Sequence, residues 1–288
     1  MAALHSDGHQ VVTLARGQQC PAGSSGHLSA SVESEAAREW ARTAEAIVHL
    51  AGLSDASLSA QRPLEYNRIN ALGTLNLLEA ARQGEALFVL ASSQRIYKPS
   101  HQPVKEDSPQ SPRDPYAYSK LVAELWTHMY AQMLGLATAT VRFFTVYGPG
   151  QRAGKGASGV VSIFMERALQ GRELVAMGGS RRDLTFISDA VLGLQLAIEW
   201  LKNGHRGGVF NVATGVGTSL PNLALLTKAA TGSASPVRVE PAIEESYIAD
   251  LSRARDQLGY RPKVSLEEGL VRYAAWYRTC AAQGQTDA

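Results

Sequence analysis

"ALFVLASS", residues 86–93, is an unbroken apolar run that ends in small polar residues. A strand of that composition is covered on both faces, as in a parallel sheet clothed by helices. The neighbouring segments agree. Upstream, "AIVHL" (46–50) is a second apolar run closed by Ala51 and Gly52, and "PLEYNRINALGTLNLLEAAR" (63–82) has proline at a helix start and apolar residues at helical spacing. Downstream, "PYAYSKLVAELWTHMYAQMLG" (115–135) predicts a long helix with a glycine stop, and "ATATVRFF" (137–144) predicts the next strand. Strand, helix, strand, helix, strand at this rhythm predicts a parallel sheet with right-handed crossovers.

Farther out the pattern continues. Val11, Val12 and Leu14 predict a short strand after the polar break Ser6-Asp7-Gly8-His9, residues 17–34 are rich in Gly and Ser and predict a loop, and "EAAREWARTA" (35–44) predicts a short helix. The texture changes from about Tyr147. "YGPGQRAGKGASG" (147–159) holds five Gly and one Pro, which predicts a loop on the rim of a cleft. Helices are expected near 160–171, 187–202, 218–230 and 265–280, and a strand at "GVFNVA" (208–213).

Composition excludes several partner classes. The 288 residues are 45% hydrophobic and 19% charged, enough to bury a large core. Formal net charge is +2 without a long Lys/Arg cluster, so no footprint for nucleic acid is visible. No apolar run approaches the ~18 residues of a membrane span, and no secretory leader pattern opens the chain, so the cytoplasm is the expected location. Cys20 and Cys280 lie near opposite ends without a Cys/His cluster, which predicts neither a metal site nor a disulfide.

Tyr116 and Lys120 stand at i and i+4, on one helix face. A lysine ammonium beside a phenol favours the phenolate and suits it to proton transfer. Many surface helices carry such a pair without any chemistry. Ser93 adds weight, because it closes a predicted parallel strand at the carboxyl end, where open α/β sheets bind ligands.

"ASSQRIY" (91–97), "PYAYSK" (115–120), "VRFFTVYGP" (141–149), "RDLTFISD" (182–189), "FNVATG" (210–215) and "ADLSRARDQLGYRP" (249–262) occur in the order and spacing of one family. The chain resembles the extended short-chain dehydrogenase/reductases, in their NAD-dependent epimerase/dehydratase branch. The resemblance implies an α/β fold, a Rossmann-like doubly wound parallel sheet with a smaller C-terminal substrate lobe. Residues 1–148, with elements near 183–215, would form the NAD(P)-binding part, and 149–182 with 216–288 the substrate-binding lobe. It implies that Tyr116 is the catalytic acid/base, that Lys120 binds the nicotinamide ribose and lowers the Tyr116 pKa, and that Ser93 hydrogen-bonds the reacting substrate oxygen. The reaction would be an epimerisation or reduction of a sugar nucleotide or similar hydroxylated substrate through transient hydride transfer.

Further positions follow from the same resemblance. Ala51, Gly52 and Asn70 match cofactor-lining positions, though a tight turn and a solvated mid-helix Asn would look alike. Thr145 matches a substrate-facing position, and Arg182 an arginine that grips the diphosphate, unless it and Arg181 are plain solvated charge. His49 reads as a satisfied core histidine and Tyr118 as a packing or rim residue. Ala15 stands where NAD-preferring relatives carry an acid, and Arg16 beside it suits a 2′-phosphate, which favours NADP over NAD. A homodimer through the helices at 64–82 and 115–134 is also implied.

Three departures matter. Ser93-Gln94-Arg95 replaces the Thr-Asp-Glu of sugar-nucleotide 4,6-dehydratases, which argues against dehydration. Glu240-Pro241-Ala242 stands near where epimerases commonly carry Arg-Pro-Gly, which puts a UDP-sugar in question. The family's first strand and Gly-rich turn do not occur, so roughly 20 residues are expected to be lost ahead of Met1. Weak cofactor binding and marginal stability are expected of such a chain. A gene fragment, or a catalytically silent binding or scaffold relative, is the alternative to an active enzyme.

Overall fold

The computed structural model describes residues 2–153, 159–242 and 245–282. In chain order the first half contains α1 (Ala2–Ser6), β1 (Val12–Ala15), β2 (Gly26–Ser29), α2 (Glu35–Ala41), β3 (Ala46–His49), α3 (Ala56–Ser59), α4 (Pro63–Tyr66), α5 (Gly73–Gly84), β4 (Leu87–Ser93), α6 (Pro115–Leu134) and β5 (Thr138–Phe143). The second half contains β6 (Thr145–Tyr147), α7 (Val160–Leu169), β7 (Leu174–Met177), β8 (Arg181–Phe186), α8 (Ile187–Lys202), β9 (Gly208–Val212), β10 (Gly217–Ser219), α9 (Leu220–Thr231), β11 (Val237–Glu240), α10 (Ser252–Leu258) and α11 (Leu266–Ala282).

Four strands form the central parallel sheet in the order β3-β4-β5-β9. Alternation along β4 explains why 86–93 reads as continuously apolar. Phe88 and Leu90 enter a core under α2, α5 and α6, while Val89 enters the opposite core with Val141, Phe210, Val212 and residues of α8 and α10. Helices thus cover both faces, the doubly wound arrangement expected from the sequence.

β1 and β2 pair in parallel as a separate sheet, and no ladder joins β1 to β3. Leu14 of β1 packs against the same core as Ile47 of β3, so side-chain burial rather than backbone hydrogen bonding ties the pair to the central sheet. β2 corrects the loop expected over 17–34. Its GHLS offers one large apolar side chain in four residues, too little for a periodic signal.

Two further sheets were also not anticipated: β10-β8-β6, and β7 with β11. With α7, α9 and α11 they enclose a third core around Phe164, Met165, Phe186, Leu223 and Tyr273. Of the glycine-rich loop expected over 147–159, residues 154–158 lie outside the described residues.

The helix expected over 63–82 is continuous in course but widens to a π-helical turn at Asn67–Leu72 between α4 and α5. Such turns interrupt the regular side-chain register and recur at functional positions. Asn70 lies within this one.

Candidate active site

The site begins where β4 ends. Ser93 closes the strand and accepts the backbone N–H of Arg95 at 3.2 Å, which starts a one-turn 3-10 helix over Gln94–Ile96. Opposite, α6 starts with Asp114 as cap and Pro115 in the first turn, Asp114 Oδ1 accepting Ala117 N–H at 2.8 Å. This fixes the first turn of α6, so Tyr116 and, one turn on, Lys120 face the carboxyl end of β4. Both are buried, at 8% and 6% exposure.

Tyr116 lies close enough to Ser93 for that hydroxyl to act on its titration, and the Tyr66 ring meets it edge to face at 6.4 Å. Burial pushes the phenol above its ordinary pKa, while the Ser93 hydroxyl and the Arg95 charge pull it down. The Lys120 ammonium donates to the Ala91 carbonyl at 3.0 Å, and burial brings its own pKa down to about 8.

Asn70 ties three segments together. Its Oδ1 accepts Leu53 N–H at 2.7 Å, and its Nδ2 donates to the Leu53 carbonyl and to Ser119 Oγ, both at 2.9 Å. It is a buried clamp rather than a solvated side chain. Gly52 sits against it: a Cβ there would lie 2.8 Å from Asn70 Oδ1 and 3.5 Å from Lys120 Nζ. Ala51, Gly52, Asn70, Lys120, Tyr116 and Ser93 thus form one constellation.

His49 is buried beside it with Nε2 3.0 Å from the Thr74 hydroxyl, which itself donates to the Asn70 carbonyl. The imidazole therefore donates to Thr74. Desolvation, with the Lys120 charge, brings its pKa down to about 3 and keeps it neutral, the satisfied core histidine expected.

The C-terminal half supplies the facing wall. Arg182, on β8, donates to the backbone carbonyls of Arg181 and Glu245, and its guanidinium lies 5.7 Å from the Tyr247 ring centre. Desolvation lowers its pKa. Its neighbour Asp183 holds the strand in place, accepting from Thr214 N–H, Thr214 Oγ, Gly215 N–H and Ala249 N–H.

Thr145 lies next to the Ser93 turn, and Arg16 stands apart from it. Thr145 Oγ accepts a 3.4 Å hydrogen bond from Gln94 Nε2, and Arg16 is exposed at the end of β1, where its carbonyl accepts from Ser29 Oγ. Sequence reasoning had missed the groups of a 360 Å³ cavity at the start of α6, among them Arg95, Arg113, Asp114, Glu245 and Tyr247. The Asp-Pro helix start at 114–115 was the one available signal.

The profile of the NAD dependent epimerase/dehydratase family matches residues 1–213. The chain belongs to that family. It is an enzyme of the epimerase/dehydratase class with the family's Rossmann-type fold. It is 33% identical to a UDP-glucose 4-epimerase of Mycolicibacterium smegmatis over 246 residues, 81% of this chain and 76% of that one. Among solved structures it resembles the UDP-glucose 4-epimerase of Thermotoga maritima with UDP-glucose, at TM-score 0.88 and 29% identity over 97% of this chain and 94% of that one. It also resembles the Thermus thermophilus UDP-glucose 4-epimerase complex with NAD, at TM-score 0.85 and 28% identity over 96% and 94%.

Proposed function

We propose that the chain is an NAD(P)-dependent epimerase or reductase acting on a sugar nucleotide, with Tyr116 moving the proton of the reacting hydroxyl. The observation that carries this reading is the convergence of Ser93, Tyr116 and Lys120 at the carboxyl ends of the central strands. A silent scaffold has no need to bury a lysine and a phenol there together.

The residues present fit the nicotinamide-ribose end of the cofactor. Lys120 carries three N–H donors, and among the described residues one carbonyl takes one of them. Ribose hydroxyls suit the rest. Gly52 leaves no room for a side chain, which lets Asn70 and Lys120 close on the Ala51-Gly52 turn. When bound, NAD(P)⁺ supplies the hydride acceptor. Ser93 orients the substrate hydroxyl by a hydrogen bond, and Tyr116 Oη takes its proton and later returns it. Asn70 locks α6 to the loop after β3 and so fixes the distance between cofactor and phenol. Arg182, stacked on Tyr247, is suited to the diphosphate. The absence of Asp and Glu at positions 94 and 95 removes the acid and base that an elimination of water requires, which favours epimerisation or reduction over dehydration.

On the same reading, residues 1–148 and 183–215 hold the cofactor, while 149–182 and 216–288 grip the substrate. Arg16, exposed beside Ala15, favours NADP. The exposed apolar residues of α4 to α6 support a homodimer.

The test is Tyr116→Phe, assayed for turnover of nucleotide sugars and titrated with NAD and NADP. Turnover is expected to fall by at least about 10²-fold with dinucleotide affinity within a few-fold of the parent, because one proton-transferring oxygen is removed. Activity within a few-fold of the parent would overturn the assignment.

A further inference from the structure

The cavity at the start of α6, next to Asp114, is richer in donors than the movement of one proton requires. Its 360 Å³ is walled by Ser57 of α3, by Arg95, Arg113 and Asp114, and by Glu245 and Tyr247. Two guanidinium groups share this space. Arg95 donates Nε and Nη2 to Asp114 Oδ2 at 3.1 and 2.5 Å, and Arg113 donates Nη1 to Glu245 Oε1 at 2.6 Å.

Of the nearby carboxylates, Glu245 gives one oxygen to Arg113, and the other two are already committed. The second oxygen of Asp114 caps α6, and Asp55, beside the wall, accepts from the backbone and hydroxyl of Ser57. The guanidinium groups are not. Of five N–H donors each, Arg95 spends two on side-chain acceptors and Arg113 one among the described residues. The ion pairs act as splints that orient the arginines and leave donors toward the cavity. What fits such a place is a compact group with several acceptor oxygens and a negative charge.

Position on the chain says which part of a substrate that group belongs to. The Arg95 N–H is bonded to Ser93 Oγ, so the arginine grows from the same turn as the hydroxyl that faces the reacting oxygen. Its charge also bears on Tyr116. Arg182 lies on a different strand, beyond Tyr247.

We infer that this cavity is a subsite for a carboxylate carried by the glycosyl ring, read by Arg95 with Arg113 behind it, so that the preferred substrate is a nucleotide-linked uronic acid. The inference rests on the sugar-nucleotide reading above. A neutral hydroxymethyl group in the same place accepts weakly and leaves guanidinium donors unpaired, whereas a carboxylate matches the planar fork with two oxygens.

Equilibrium binding by titration calorimetry tests it independently of turnover, using the full chain with NAD present and three probes: UDP-glucuronate, UDP-glucose and UDP. The parent is expected to bind UDP-glucuronate about tenfold or more tightly than UDP-glucose. In Arg95→Gln, which keeps a hydrogen-bond donor toward Asp114, that ratio falls to near one. Three results would overturn the inference: equal affinities in the parent, a preference that survives Arg95→Gln, or a loss that is the same for all three probes, which would put Arg95 on the diphosphate. Binding of none of the three would instead bring down the nucleotide-sugar reading itself. Binding of UDP-glucose as tightly as UDP-glucuronate would leave that reading standing and remove only this subsite.

Discussion

Lys120 shows what the site costs the fold. In the folded chain burial brings its pKa to about 8, against an ordinary value of 10.5. Between those values the unfolded chain binds more protons, so stability rises with pH across that window and the penalty is fully present below about pH 8. The separation corresponds to roughly 3 kcal/mol. The hydrogen bond to Ala91 returns about 1. Lys120→Met is therefore predicted to raise the melting temperature at pH 7, with the gain shrinking toward pH 10.5, while activity is lost. A lower melting temperature at pH 7 would show that the ammonium stabilises the fold. At this scale the sequence was readable where spacing sufficed: Tyr116 and Lys120 share a helix face by arithmetic alone. Arg95 was not readable as a site residue, because its orientation depends on Asp114, which only the fold brings beside it.

Among elements, legibility follows periodicity. β4 and α6 were plain because covered strands and long amphipathic helices leave strong patterns. β8 was missed because it opens with Arg181, Arg182 and Asp183, charges that read as solvated. Asp183 is in fact fully buried, which its four donors permit, and no local pattern announces partners from residues 214, 215 and 249. Arg142 on β5 repeats the lesson, paired in the interior with Glu124 of α6 at 2.6 Å and donating to Tyr97. The outer face of α6 supports the proposed dimer. Tyr118, Leu125 and Met133 are 57%, 59% and 77% exposed at helical spacing, and Leu64 and Leu72 are exposed on the preceding helical run. Sedimentation of the full chain is predicted to give a dimer that Leu125→Glu with Met133→Glu converts to monomer. A monomeric parent would contradict this.

For the whole molecule, the resemblance over six ordered motifs conveyed the doubly wound sheet more firmly than any single element did. What it did not convey is that β1 and β2 stand as their own sheet, tied to the centre through Leu14 and its packing. The Ser93, Tyr116 and Lys120 constellation stands on the four-stranded sheet and α6, so the chemistry proposed depends on that core. On the proposed mechanism hydrogen leaves and returns to the sugar carbon as hydride, with NAD(P)⁺ as its acceptor, while Ser93 and Tyr116 handle the proton of the hydroxyl. Isotope retention tests it most directly. A UDP-hexose or UDP-hexuronate deuterated at the reacting ring carbon is incubated with the full chain and NAD(P)⁺ in ordinary water, and the epimeric product is read by NMR. Deuterium is expected to stay on that carbon in the product. Deuterium replaced by solvent protium would mean removal as a proton and would contradict it.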